Sequence, residues 1–82
     1  MTSIPDAGQR QVDLAEAARQ LQLAMHDTRV AFDCVALEEL DRAHTHAITA
    51  RVAVDAAENL LRVALADGVS RASDASQASQ AS

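Results

Sequence analysis

The sequence has almost no aromatic side chains: Phe32 is the single aromatic residue among 82, and neither tryptophan nor tyrosine occurs. Hydrophobic residues nevertheless make up 49% of the chain. Many of them are alanines, which bury little area each. A core built from such residues lacks the large side chains that contribute most of the burial energy. We therefore expect one small domain that takes part of its stability from a partner.

Lysine is absent as well, so the seven basic residues are all arginine, against twelve acidic ones and a net charge of −5. An acidic surface repels phosphate backbones and anionic headgroups, which argues against nucleic-acid binding and electrostatic membrane attachment. No apolar run approaches the roughly 20 residues that span a bilayer. The first residues also lack the basic and apolar regions of a cleaved signal peptide. We expect a cytoplasmic protein that does not insert into membranes.

Residues with catalytic or metal-binding spacing are also missing. The single cysteine, Cys34, cannot form an intramolecular disulfide, and no neighbouring His or Lys completes a nucleophilic pair. His44 and His46 are two positions apart and would point to opposite sides of a helix, whereas helical metal pairs share one face. A hairpin would bring His26 near His44, but solvated or boundary histidines are the simpler expectation. We expect no catalytic residue, no metal and no cofactor.

Helix breakers are scarce, and this absence predicts the fold class. Between Gly8 and Gly68 lie 59 residues without glycine or proline. This stretch is rich in Ala, Leu, Arg, Glu and Gln, the best helix formers. Its apolar residues do not alternate as in a strand. Asp6 and Gln9 form a capping box at the start, and Gly68 suits the left-handed position after a last helical residue. The sequence therefore predicts an all-α protein.

Apolar residues recur at alternating steps of three and four in both halves of the chain. This spacing is typical of amphipathic helices that pack along a seam. The pattern predicts an antiparallel two-helix hairpin, coiled-coil-like, completed by a partner or by self-association. The predicted hairpin seam consists of Leu14, Leu21, Met25, Phe32, Leu40 and Val54.

A turn is predicted between residues 29 and 36. The apolar row takes two consecutive steps of four there, and Asp33 can cap a second helix. The helices would then span about residues 6–32 and 34–67. The alternative is one continuous helix, about 88 Å long at 1.5 Å per residue.

The remaining residues, 69–82, are rich in serine, alanine and glutamine, and from residue 70 onward they include no large apolar residue. They predict a flexible tail behind a hairpin domain of residues 1–68.

The two predicted helices differ in length, and this difference suggests an interface. Pairing them about Asp33 leaves residues 61–67, in the most apolar part of the chain, beyond the first helix. Apolar side chains that the hairpin cannot cover predict contact with another chain. The predicted partner-binding residues are Ile48, Val52, Leu60, Leu61, Val63 and Leu65.

Two segments of the sequence resemble a known protein family. They are Leu-Gln-Leu-Ala-Met at 21–25 and Val-Asp-Ala-Ala-Glu-Asn-Leu-Leu at 54–61. With the shorter first helix and longer second helix, residues 10–67 resemble the small helical-hairpin co-chaperones of type III secretion systems. In that family the hairpin joins a helical-repeat chaperone, and together they hold the monomeric needle subunit in the cytoplasm. The resemblance implies a non-catalytic protein that binds a chaperone, a secreted subunit or both. Turns in that family often contain glycine, which is missing here.

Self-association remains an alternative on the residues alone. Two hairpins packed through an alanine-rich seam would form a four-helix bundle that serves as an adaptor or scaffold. A structural secreted or virion component that polymerises through one long helix is also open. In both cases the partner is another copy of the chain.

Overall fold

Two helices joined by a three-residue turn make up the structure, which is a computed structural model describing residues 7–81 and the side chains of residues 8–68. Helix α1 spans Ala7–Ala36 and helix α2 spans Leu40–Ala81. They pack against each other over the length of α1. The predicted all-α antiparallel hairpin is confirmed. The predicted cap at Asp6 lies outside the described residues.

The turn lies later in the chain than the sequence predicts. Helix α1 continues through Asp33 to Ala36, so the prediction of a turn between residues 29 and 36 is wrong, and so is the role of Asp33 as a cap. Of the two consecutive steps of four, the first, from Phe32 to Ala36, lies within α1, and the second, from Ala36 to Leu40, spans the turn. Helix α1 is unbroken up to Ala36. No breaker interrupts the segment, and its alanine and valine residues propagate the helix.

The end of α1 has the hydrogen bonds of a Schellman motif. The amide of Glu39 donates to the carbonyl of Cys34 (2.8 Å), and the amide of Glu38 donates to the carbonyl of Val35 (3.0 Å). Glu38 has a φ of 61°, the left-handed conformation that usually falls to glycine. The carbonyl of Glu39 then accepts from the amide of Ala43 (3.0 Å), which begins α2. A glutamate thus reverses the chain without any glycine.

Helix α2 runs past Gly68 and ends at Ala81. Gly68 does not have a positive φ and so does not end the helix. A glycine inside a helix costs only about 1 kcal/mol relative to alanine, which its neighbours can offset. The backbone of residues 69–81 therefore continues α2 where the sequence predicts a flexible tail.

The side chains between the two helices are small. Buried positions recur at steps of three and four along both helices, as in a coiled coil. We call this row the seam; its buried apolar members are Ala17, Ala24, Cys34, Ala43, Ala50, Ala53 and Ala57. Small side chains at a helix contact allow the two axes to approach closely.

The residues predicted to form the seam lie beside it. Their exposure ranges from 39% for Leu21 to 72% for Phe32. On α1, Met25 follows the seam residue Ala24 by one position, which turns it about 100° around the helix. The other three follow part-buried residues in the same way. Both rows have the same spacing, and close packing of the helices selects the row with the smaller side chains. The exposed residues concerned are Leu14, Leu21, Met25, Phe32, Leu40 and Val54.

The predicted overhang of residues 61–67 is also wrong, because the later turn changes which residues face each other. The guanidinium of Arg10 approaches to 3.7 Å of the point where a Cβ on Gly68 would lie. Leu61 and Leu65 lie in a groove with Leu14. This segment of α2 therefore packs beside the first turns of α1, and α2 extends past α1 only beyond Gly68.

The hairpin is one helix thick. Its dimensions are 66 × 25 × 13 Å, and a helix with its side chains measures about 10–12 Å across. Domains normally bury their apolar faces between at least two layers. Each helix of this hairpin therefore has two broad faces that no other part of the described chain covers.

Candidate partner-binding surface

Large apolar side chains from both helices line a continuous open groove on one side of the hairpin. We call this surface the groove face. Helix α1 contributes Leu14, Leu21, Met25, Phe32 and Val35, and helix α2 contributes Ala47, Val54, Leu61 and Leu65.

The sections of the groove share residues, which shows that they form one surface. Leu21 and Val54 line both the middle section and the section nearer the chain ends. Phe32 lines the middle section and the section nearer the turn. Arg29 is the one charged residue among those that line the middle section. The groove therefore offers an apolar strip along most of the length of α1.

Three large apolar side chains of this face are highly exposed. Phe32 and Met25 are about 70% exposed, as is Leu65 on the facing helix. Single exposed apolar residues are normal, but a contiguous strip rimmed by polar groups marks an interaction surface. Methionine and aromatic residues are enriched in such interfaces.

The opposite face of the hairpin carries polar residues beside the exposed apolar residues Leu23 and Val52. It is formed by residues that precede the seam positions, and the polar ones bond within their own helix. Arg19 donates two hydrogen bonds to the carboxylate of Glu16, at 2.6 and 3.0 Å. Together with a bond from Gln20, these lower the pKa of Glu16 to about 2. On α2 the hydroxyl of Thr45 donates to the carbonyl of Asp41. Polar groups on this face are therefore satisfied locally.

The six predicted partner-binding residues do not share one surface. Leu61 and Leu65 line the groove face. Leu60 is half-buried at the seam, and Ile48 and Val52 are exposed but do not line the groove.

Val63 lies in a separate recess with Arg10 and Asp13. In contrast, every residue predicted for the seam except Leu40 lines the groove face. Leu40 is exposed at the first position of α2. The apolar row assigned to the interior is thus the main part of the candidate interface.

One polar pair crosses the seam. The Nδ1 atom of His46 lies 2.9 Å from Oδ1 of Asp27, and Asp27 is the buried charged residue of the hairpin. His46 is a part-buried boundary histidine, and its contact with Asp27 was not predicted. The signal for this contact was present in the spacing, because Asp27 follows Ala24 by three and His46 follows Ala43 by three. Both residues therefore occupy seam positions.

Cys34, the residue considered as a nucleophile, is buried in the seam. Among the described side chains, those of residues 8–68, no group of three or more His, Cys, Asp or Glu is arranged to hold a metal ion. The described helices include none that is both long and apolar enough to cross a membrane.

Comparison with known proteins finds no match: no family model, no curated protein and no solved structure matches the chain. The functional interpretation therefore depends on the hairpin and its groove face.

Proposed function

We propose that the protein is a non-catalytic binding protein whose groove face receives an amphipathic helix of another protein. The observation that supports this is the continuous apolar groove between α1 and α2. An apolar groove between two helices is the typical receptor in helix-in-groove recognition.

The spacing of the groove residues indicates what kind of helix fits. Leu14, Leu21 and Phe32 recur on α1 at coiled-coil spacing, and Ala47, Val54 and Leu61 are each seven residues apart on α2. A third helix packs between two such rows when its own apolar residues repeat at about 3.5 residues. The preferred partner is therefore a helix with an apolar stripe several turns long.

A more specific role follows from the resemblance to the type III secretion co-chaperones. The hairpin with a shorter α1 and a longer α2 supports it, because that family has the same order of lengths. In this role the groove face would bind a helical-repeat chaperone, a needle subunit or both in the cytoplasm. Covering an apolar helix of the subunit would keep it monomeric.

The proposal is tested by comparing two leucines of α1 that differ in face but not in exposure. Leu21 lines the groove and is 39% exposed; Leu23 lies outside it and is 42% exposed. Proteins that co-purify with the tagged chain from its native host are identified by mass spectrometry, purified and titrated calorimetrically.

We expect Leu21→Ala to weaken binding of the partner at least about tenfold, equivalent to roughly 1.4 kcal/mol. Leu23→Ala should leave the affinity unchanged. Equal losses in both variants would show that the partner does not use the groove face.

A further inference from the structure

We infer that a second copy of the chain covers the groove face when no other helix occupies it. The two hairpins would stack face to face as an antiparallel four-helix bundle, with a two-fold axis at Val54. This goes beyond the proposed function and can be tested on the purified chain alone, without any partner.

The first argument is the missing second layer. The hairpin is 13 Å thick, and among residues 8–68 the buried apolar residues are six alanines and one cysteine. The largest apolar side chains, which supply most burial energy, all remain exposed to some degree. Stacking two groove faces places these side chains between two layers, which is the arrangement of a four-helix bundle.

The second argument is the match of side-chain size along α1. A two-fold axis perpendicular to the helices lays each α1 on the α1 of the copy, running in the opposite direction. With the axis level with Leu23, large residues meet large ones and small residues meet small ones. The facing pairs are Leu14 with Phe32, Leu21 with Met25, and Ala18 with Thr28. One axis position satisfies all three pairs.

The same axis also suits α2. Val54 lines the groove together with Leu21 and Met25, so it lies level with the centre of the α1 pairs. About Val54, which meets its own symmetry mate, Leu61 faces Ala47 of the copy.

The third argument is charge. Glu58 lines the groove one turn after Val54, and Arg51 lies about one turn before it on the same side of α2. The antiparallel arrangement therefore brings Arg51 beside Glu58 of the copy, and symmetry repeats the pair. Glu58 also contacts Arg62 of its own helix at 3.4 Å, in a pair that is largely exposed. Its carboxylate therefore remains accessible to a second cation.

A parallel stack does not offer these matches. It would lay each α1 on the α2 of the copy at the same level along the hairpin. Because Glu58 and Leu21 lie in one section of the groove, the carboxylate would then cover a leucine of the copy. The antiparallel arrangement is therefore the one that the groove residues favour.

The test measures the mass of the full chain by light scattering and sedimentation over a range of concentrations. We expect the wild type to form a particle of twice the 8.7 kDa chain mass. Val54→Glu should give monomers, because it places two carboxylates at the axis. Val52→Glu is the matched control on the same helix, exposed but outside the groove, and should remain dimeric.

A charge exchange tests the register. Glu58→Arg should weaken the dimer at least about tenfold, because like charges then face each other. Arg51→Glu combined with Glu58→Arg should restore the affinity to within about threefold. Circular dichroism checks that every variant stays helical.

Three results would overturn the inference. One is a wild type that stays at 8.7 kDa at all concentrations. Another is a dimer that Val54→Glu weakens no more than Val52→Glu does. The third is a double variant that dissociates as readily as Glu58→Arg alone.

Discussion

The seam and the groove face are made from neighbouring rows of the same helices, yet they differ in nearly every property. The seam holds alanines, one cysteine and a part-buried Asp–His pair, whereas the groove face holds leucine, methionine, phenylalanine and valine. The difference shows that the larger side chains of a helix do not necessarily mark its contact with the next helix. Here the small row allows close approach of the helices, and the large row is left for a further chain.

Enlarging a seam alanine tests the difference between the seam and the groove face most directly. Ala57 is 1% exposed, and leucine in its place would force the helices apart. We expect Ala57→Leu to lower the free energy of unfolding by about 2–3 kcal/mol. Urea denaturation followed by circular dichroism measures this.

The control is Ala15→Leu, the same change at an exposed position of α1. It should alter stability by less than about 0.5 kcal/mol. A seam that tolerated leucine equally well would show that the helices are not closely packed.

The pair of Asp27 and His46 gives a second test of the seam, because it is the polar exception among otherwise apolar buried residues. Asp27→Ala and His46→Ala each remove one side of a 2.9 Å contact between the helices. We expect a coupling free energy of about 1 kcal/mol in a double-mutant cycle, the typical net value of such a bond. A cycle that closes with no coupling would mean that each residue interacts mainly with water.

At the turn, a substitution of Glu38 is expected to stabilise the hairpin. Glu38 has a left-handed backbone, where a residue with a Cβ is disfavoured by about 1 kcal/mol relative to glycine. Glu38→Gly should therefore raise the free energy of unfolding by up to about 1 kcal/mol, measured by thermal and urea denaturation. Glu38→Ala removes the same carboxylate but keeps the Cβ, so it should give no such gain.

The smallest effect is expected at the ion pair of Arg19 and Glu16, on the face opposite the groove. The hydrogen bonds from Arg19 and Gln20 lower the pKa of Glu16 from 4.5 to about 2. A lowered carboxyl pKa means that the stabilising contribution is present above the ordinary pKa and is lost as the pH falls towards 2. NMR titration should show Glu16 ionised well below pH 4.5, and Arg19→Gln should raise its pKa. Arg62→Gln should not.

The helical content was predictable, because a long run of good helix formers without glycine or proline permits little else. The position of the turn was not. Asp33 has the chemistry of a helix cap but lies inside α1, and Glu38 reverses the chain with no residue type that signals a turn. The Schellman hydrogen bonds use only backbone atoms, so the side-chain sequence carries no trace of them.

The candidate interface was predictable in part. Leu61 and Leu65 were expected to bind a partner and do line the groove face, although not as an overhang. Phe32 and Met25 were assigned to the interior. Periodicity finds both rows, since they share one spacing, but it does not say which row faces the other helix. That choice depends on the distance between the helices, which side-chain size limits and spacing does not report.

The conformation of Glu38 also has a consequence for exchange between copies. Among the described residues other than glycine, it alone has a positive φ. If residues 37–39 became helical, α1 and α2 would join into one continuous helix. Two such helices could pair, with each α1 packing on the α2 of the other copy through the same alanine seam. Every seam contact would be kept, and the left-handed residue would relax. The turn is therefore a strained hinge of the kind that favours domain swapping, and its balance shifts towards the exchanged form as the protein concentration rises.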